Sequence, residues 1–215
     1  MDAYRINVKI YFEDSTAADP TAADPTAEDP TAEDPGFRLD DEALIPIFHR
    51  YIQQQALDEI LIDVADYKHV PAGPGVMLIA HDANYSVDRA DGELGLLYAH
   101  KRRRAGDFTS RLRWALRQAL VLARKLEQEP LGLKIAANRL AVRINDRLLA
   151  PNDATAYAAV EPAVRDLFSE LFAAEVRTSQ EENPKGALGI RINADSAVGV
   201  PALLDRLEAP LAKAS

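Results

Sequence analysis

The chain contains no cysteine among its 215 residues, and this absence excludes disulfides, thiolate-ligated metals and thiol nucleophiles. It also contains no run of about 18 apolar residues, so we expect no membrane-spanning helix and no membrane partner. Residues 1–5 lack the apolar stretch of an export signal and lead directly into a strand pattern. Together these features predict a soluble protein whose expected compartment is the cytoplasm.

Motifs of enzymes are also missing. No serine lies in a Gly-x-Ser-x-Gly turn, which gives no support to hydrolase chemistry. The glycines of Gly73-Pro74-Gly75 lack the spacing of a phosphate-binding loop. We therefore expect no metal and no cofactor, and the sequence favours a non-enzymatic protein over an enzyme.

The charge of the chain is unevenly distributed. The net charge is −9, yet the window from Lys101 to Lys125 holds nine basic residues and one acid, which gives +8. The window from Glu13 to Pro35 holds eight acids and no base. The acidic total argues against a general nucleic-acid coat protein, while the basic window leaves one local anion site open.

Residues 16–35 form an acidic repeat, in which Thr-Ala-Ala-Asp-Pro occurs twice and Thr-Ala-Glu-Asp-Pro follows twice. Alanine is its largest apolar residue apart from proline, so the repeat cannot offset the entropy of ordering its backbone. We expect a low-complexity surface loop inserted into the fold. It is either a neutral expansion or a segment that screens the basic window.

Hydrophobic periodicity predicts an α+β fold, with a mainly antiparallel or mixed sheet and helices packed on one face. The expected order is βαβββα followed by ββαββα. The first half is predicted to contain strands at 4–12, 59–65, 76–88 and 94–101 and helices at 42–56 and 108–128. The second half is predicted to contain strands at 133–136, 139–144, 174–180 and 187–193 and helices at 153–173 and 197–212, the former interrupted at Pro162.

Two further expectations concern the arrangement of these elements. The near-continuous apolar run at 59–65 predicts a central strand, which could lie parallel and adjacent to 4–12. A break near Glu129-Pro130 divides the chain into an N-terminal half, 1–130, and a C-terminal half, 131–215. Because both halves are small, we expect them to share an interface.

The segment from 76 to 101 is predicted to be a hairpin around a two-residue turn at Asp91-Gly92. In that register Tyr85 faces Tyr98, Ala83 faces His100, and His81 lies diagonal to His100. The candidate catalytic patch is therefore His81, His100, Tyr85 and Tyr98. Such a patch could move protons or orient a ligand. The alternative is an aromatic face packed under a helix, with its polar atoms hydrogen-bonded.

Asp63 and Asp66 are a second pair of candidates, because they end an apolar strand next to a loop. Paired carboxylates could perform acid–base catalysis or bind Mg²⁺, and Asp63 is expected to be partly desolvated. The alternative is that these residues cap the turn into Tyr67-Lys68-His69.

The basic window supplies the anion-binding candidates. One group ends a predicted strand and the other lies on one face of the helix that follows it. The candidates are Lys101, Arg102, Arg103, Arg104, Arg113, Arg117 and Arg124. They could hold phosphates or an acidic protein. The alternative is a solvated helix face that pairs with acids such as Glu127 and Glu129 or with the acidic repeat.

These observations favour a binding or assembly module that recognises an unidentified protein or anionic partner. A small enzyme or ligand-binding protein that uses the His/Tyr patch is one alternative, and anion or nucleic-acid binding through 101–125 is another. Self-association into a homo-oligomer stays open.

Overall fold

The computed structural model describes residues 5–13, 39–70, 73–89, 91–181 and 186–208. The acidic repeat and Tyr4 lie outside these residues. The described part of the chain forms one eight-stranded sheet and four α-helices, which confirms the predicted α+β class.

The strands are β1 (Ile6–Phe12), β2 (Leu61–Asp66), β3 (Val76–Ala80), β4 (Ala83–Asp88), β5 (Gly95–His100), β6 (Ile135–Ile144), β7 (Val176–Gln180) and β8 (Leu188–Ala194). The helices are α1 (Leu44–Gln54), α2 (Phe108–Glu127), α3 (Ala154–Phe172) and α4 (Val200–Glu208), and a single 3-10 turn, Asp41–Ala43, precedes α1. Across the sheet the order is β2-β3-β4-β5-β1-β6-β8-β7, and every neighbouring pair is antiparallel.

All four helices lie on one side of this sheet, as the sequence predicts. Ile6, Val8, Ile10 and Phe12 alternate along β1 and are fully buried against the helices. Helix α1 packs on β2 and β3, α2 on β1 and β5, and α3 on β7 and β8, while α4 packs on α2 and α3. The opposite side carries no helix among the described residues, and we call it the helix-free face.

Aspartates begin α2 and α3, as expected from their affinity for free backbone amides. Asp107 accepts a hydrogen bond from the Ser110 amide at the start of α2, and Asp153 caps α3 in the same way.

Pro162 does not interrupt α3, so the predicted interruption of this helix is wrong. Burial of Val160 and Val164 beside the proline, with α3 packed on β7 and β8, compensates for the missing backbone hydrogen bond.

The run at 59–65 is not a central strand, and it is not a neighbour of β1. Strand β2 forms the edge of the sheet, and Ile62 there is 54% exposed. The reason lies in the predicted arm 76–88, which turns at His81-Asp82 and becomes two paired strands, β3 and β4. Three strands therefore separate β2 from β1, although both run in the same direction.

In the second half, the two predicted strands at 133–136 and 139–144 are one ten-residue strand, β6. A register shift between Ile10 and Phe12 on β1 lets this long strand continue to pair. The observed order is thus βαββββα followed by βαββα rather than the predicted one. Strand β1 from the first half pairs along its length with β6 from the second, so one sheet runs through both.

Gln118 generates a prediction about stability. It is fully buried on α2, and neither its amide nitrogen nor its amide oxygen has a hydrogen-bond partner among the described residues. Replacing it by the similarly shaped methionine, Gln118→Met, should raise the free energy of unfolding by about 1 kcal/mol, because an unsatisfied buried amide is removed. Urea denaturation measures the change, and the exposed Gln53→Met is the control. A loss of stability in Gln118→Met alone would show that the amide has a partner.

Candidate functional site

The register of the hairpin between β4 and β5 is the predicted one. Tyr85 pairs with Tyr98 and Ala83 with His100. The predicted two-residue turn is wrong, because the last pair of the ladder is Asp88 with Gly95 and the Gly92 amide donates to the carbonyl of Arg89. The connection between Asp88 and Gly95 is longer than the predicted ladder allows, but the cross-strand pairs of β4 and β5 are the same as those that a two-residue turn would give.

Tyr85 and Tyr98 lie on the helix side of the sheet and share one acceptor. Both hydroxyls donate to the Glu59 carboxylate, each over 2.9 Å, and Glu59 itself is buried. The tyrosine rings meet edge to face, with their centroids 5.1 Å apart. Burial, reinforced by the charge of Glu59, raises the pKa of both tyrosines far above the ordinary value. Both therefore act as neutral donors that satisfy a buried carboxylate.

The two histidines of the predicted patch lie in different places. His100 is buried and stacks on Tyr98, with a centroid separation of 6.1 Å. His81 lies in the turn between β3 and β4, is exposed, and contacts Asp82 through Nδ1 at 2.7 Å. The prediction that His81 shares a strand face with the other three residues is wrong, because the chain reverses at this histidine.

Asp63 and Asp66 lie on the edge strand β2 and are exposed, which corrects the expected desolvation of Asp63. Asp63 accepts a hydrogen bond from the Val64 amide at 2.8 Å, and Asp66 accepts one from the Lys68 amide at 3.0 Å. The hydrogen bond from the backbone amide of Lys68, together with the nearby Lys68 ammonium, lowers the pKa of Asp66. Asp66 thus caps the turn, as the structural alternative proposed.

The basic residues of α2 are largely paired within the molecule. Arg117 bonds to Asp58 at 2.5 Å and to Glu208 at 2.9 Å, and Arg113 lies 3.4 Å from Glu170. The partners are therefore Asp58, Glu170 and Glu208, and the predicted partners Glu127 and Glu129 bond elsewhere: Glu127 accepts from the Ile135 amide, and Glu129 from Arg50 and Tyr51. Arg124 is exposed.

The residues that follow β5 are more accessible. The Lys101 ammonium donates to the carbonyl of Ala80 at 2.7 Å, and Arg102 reaches Asp82 at 3.9 Å. The guanidinium of Arg104 lies 3.7 Å from the centroid of the Trp114 ring. Arg103 is exposed beside them. Arg104 thus packs on α2 through Trp114, while Arg102 reaches the turn between β3 and β4 through Asp82.

One half of the helix-free face is built from charged side chains that the sequence analysis did not single out. Four cations and four anions meet around one tyrosine, and we call this set the ionic half. Its members are Lys9, Tyr11, Asp88, Asp91, Glu93, Arg139, Arg143, Glu181 and Arg191.

Lys9 is the centre of the ionic half and has no solvent exposure, although no helix covers it. Its ammonium bonds to Asp91, lies 2.9 Å from Asp88 and donates to the carbonyl of Glu93 at 2.7 Å. Arg143 bonds to Asp88 and Asp91 as well. The segment after β4 therefore folds over Lys9 and replaces its water with charged partners.

Two glycines make room for this network. A side chain at Gly95 would come within 2.7 Å of both Lys9 Cε and the carbonyl of Ile10. A side chain at Gly189 would overlap the carboxylate of Glu181, which reaches Arg143 at 2.7 Å. Each glycine is thus needed for the close approach of a charged side chain to the sheet.

The other half of the helix-free face carries a group of apolar side chains. Strand pairing puts Met77 and Ile79 on β3 and Leu97 and Ala99 on β5 on the same side as Lys9. Ile60, which precedes β2, and Ile62, which lies at a register shift in β2, are 66% and 54% exposed, whereas Leu61 between them is buried. We call the apolar residues of this region the apolar half: Ile60, Ile62, Met77, Ile79, Leu97 and Ala99. Polar residues lie among them, because Ser86 and Asn84 of β4 separate the residues of β3 from those of β5, and Asp63 of β2 pairs with Ile79.

The structure has a groove outside the predicted patch. A groove of about 520 Å³ lies between the start of α2 and the middle of α3, where Phe108, Arg111 and Val160 line it, and it contains none of the candidate residues. In the described ranges, no three His, Asp or Glu side chains are grouped so that they could hold a metal ion. Within the same ranges no helix is long and apolar enough to cross a membrane.

Comparison with known proteins gives no relative: no family model matches the chain, and no curated protein and no solved structure matches it either.

Sequence reasoning missed Glu59 and the ionic half. Asp58 and Glu59 are two acidic residues between Leu57 and Ile60, and nothing in the neighbouring sequence indicates that the side chain of Glu59 is buried. The ionic half left a weak signal, because Lys9, Arg143 and Arg191 each alternate with core residues along their strands. That alternation indicates the helix-free face, but it does not indicate which charges pair.

Asp91 generates a prediction about acid stability. Burial raises its pKa, but hydrogen bonds from Lys9 and Tyr11 outweigh this and lower it to about 2, below the ordinary 3.8. Because the folded-state pKa is depressed, the carboxylate stabilises the fold above about pH 4, and this contribution is lost as the pH falls towards 2. Asp91→Asn should therefore be less stable at neutral pH and should lose less stability over that acidic window.

Urea denaturation at a series of pH values measures this difference, and the exposed Asp205→Asn is the control. Parallel stability curves for the wild type and Asp91→Asn would contradict the assignment.

Asp63 generates a prediction about aggregation. Its carboxylate occupies the Val64 amide on a strand edge that has no partner among the described residues, and a register shift at Ile62 distorts the same edge. Asp63→Ala should free that amide and remove a charge, so edge-to-edge aggregation should accelerate. Light scattering during incubation measures the rate. The exposed Asp205→Ala removes the same charge elsewhere, and equal rates for both variants would count against an edge-protecting role.

Proposed function

We propose that the protein is a non-enzymatic binding module whose protein partner docks on the apolar half of the helix-free face. The observation that supports this most directly is the exposure of Ile60 and Ile62 beside half-buried Met77, Ile79 and Leu97. Apolar surface left in water costs about 25 cal/mol per Å², so a group of exposed large apolar side chains is typical of a binding site.

The distribution of charge favours this side of the sheet. The cations and anions of the ionic half already neutralise one another, so they offer little to an ionic ligand. The apolar half has no such internal partners. A protein with its own apolar patch would gain the most by covering it.

The two alternatives have less support. Tyr85 and Tyr98 donate their hydroxyls to buried Glu59, and this favours a structural role for them over a catalytic one. Anion binding rests on Arg102, Arg103 and Arg104, because Arg113 and Arg117 already have acidic partners. We propose the cytoplasm as the default compartment, with which a chain without cysteine is compatible.

Site-specific photo-crosslinking tests the proposed function. A photoreactive amino acid at position 62 should form an adduct with a defined protein in the organism of origin, and mass spectrometry identifies that protein. The same amino acid at Leu148, which is 97% exposed in a turn after β6, is the control.

Adding Ile60→Lys should reduce the yield of the position-62 adduct at least about tenfold, because a charge at the centre of an apolar contact is desolvated. The proposal requires one dominant adduct that is sensitive to Ile60→Lys. Absence of an adduct, or adducts equal to those at position 148, would overturn it.

A further inference from the structure

We propose that Arg104 binds a phosphate monoester, at a site on the helix side of the sheet that is independent of the proposed function. Arg104 belongs to the connection between β5 and α2, residues 101–107, in which every residue is exposed. Three observations support the site: how the guanidinium is held, the lack of an internal carboxylate partner, and the charge of the connection.

Trp114 of α2 holds the side chain of Arg104 in place. The guanidinium carbon lies over the indole ring, 3.7 Å from its centroid. Trp114 is half-buried, and its indole N–H donates to the hydroxyl of Tyr98, which in turn donates to buried Glu59. The indole is therefore fixed from its buried side. A guanidinium that rests on such a ring loses less conformational entropy when it binds a ligand.

Arg104 has no carboxylate partner among the described residues, and in this it differs from its neighbours. Arg113 and Arg117 of α2 each contact a carboxylate within 3.4 Å. Arg102 reaches Asp82, at 3.9 Å. The contact of Arg104 with an aromatic ring leaves its N–H groups without an internal ion pair, so an external anion does not have to displace one.

The connection carries an excess of positive charge. Residues 101–104 are four consecutive cations, and the one acid of the connection, Asp107, accepts a hydrogen bond from the Ser110 amide at 2.8 Å. An anion bound at Arg104 is therefore attracted by the neighbouring cations of the chain as well.

These properties indicate the class of the ligand. A guanidinium binds a phosphate through two parallel N–H···O bonds, and a monoester carries a charge of about −1.5 to −2 at pH 7, which is more than a carboxylate or a phosphodiester carries. The net charge of the whole chain is −9, which repels a long polyanion such as a nucleic acid more than a compact dianion. A phosphate monoester, carried by a protein side chain or by a small molecule, is the ligand that fits best.

Tryptophan fluorescence of the purified full-length chain tests this inference, because Trp114 is the only tryptophan in the chain. The probes are a phosphoserine peptide with glycines on both sides, its unphosphorylated form, glycerol phosphate and a single-stranded oligonucleotide. Both monoesters should shift the emission and saturate, and the unphosphorylated peptide should not. Tighter binding of the phosphopeptide than of glycerol phosphate assigns the monoester to a protein, and equal binding assigns it to a small molecule.

Titration calorimetry of variants locates the binding at Arg104. The dissociation constant of the monoesters should rise at least about tenfold in Arg104→Gln, because charge-assisted hydrogen bonds are lost. Arg104→Lys keeps the charge without the planar fork and should bind more weakly than the wild type. The matched control is Arg124→Gln, at an exposed arginine near the other end of α2, and it should bind like the wild type. Circular dichroism establishes that the variants are folded, and Arg104→Lys supplies the comparison if Arg104→Gln is not.

Three results would overturn the proposal. The first is a wild type that binds neither monoester in a saturable way. The second is an equal loss of affinity in Arg104→Gln and Arg124→Gln, because the effect would then be one of net charge. The third is tighter binding of the oligonucleotide than of both monoesters, which would assign the site to a nucleic acid. None of these measurements involves position 62, so the failure of this site and the failure of the proposed function are distinguishable.

Discussion

Lys9 places its ammonium group where water does not reach, and much of the ionic half is arranged around that group. A buried cation is tolerated only when charged and polar groups replace its water, and here Asp88, Asp91 and the carbonyl of Glu93 do so. The same acids hold Arg143, which links them to Glu181 at the end of β7. One contact thus ties the β4–β5 connection to the opposite half of the sheet.

The two halves of the helix-free face differ in the kind of side chain that they present on the side of the sheet that no described helix covers. A sheet covered by helices on one side must leave the other side polar, cover it, or expose apolar surface. On β1, β6 and β8 the charged side chains are cations, and carboxylates from β4, from the β4–β5 connection and from Glu181 satisfy them. On β3 and β5 the side chains are apolar, with Ser86 and Asn84 of β4 between them, and next to β3 the isoleucines Ile60 and Ile62 are the most exposed apolar side chains of this half. This contrast within one face is the reason for placing the partner on the apolar half.

The sequence predicted what depends on local periodicity. Alternation along β1 identified its buried side, and the period of two gave the pairing of Tyr85 with Tyr98 although the turn itself is longer. The sequence analysis failed where the position or the burial of a residue depends on partners far away in the chain. The reversal at His81 has no glycine or proline to indicate it, and it moves β2 to the edge. Glu59 and Lys9 owe their burial to partners between 26 and 84 positions away along the chain.

The pairing of β1 with β6 has a consequence for how the chain folds during synthesis. Ile6 pairs with Ile144, so β1 waits for well over a hundred further residues before its second neighbour exists. At typical rates of translation this interval lasts on the order of ten seconds. Strand β5 can pair with one side of β1 earlier, but the other side stays open on the nascent chain. The ribosome-bound intermediate therefore carries a half-paired, largely apolar central strand with one open edge, the kind of segment that chaperones bind.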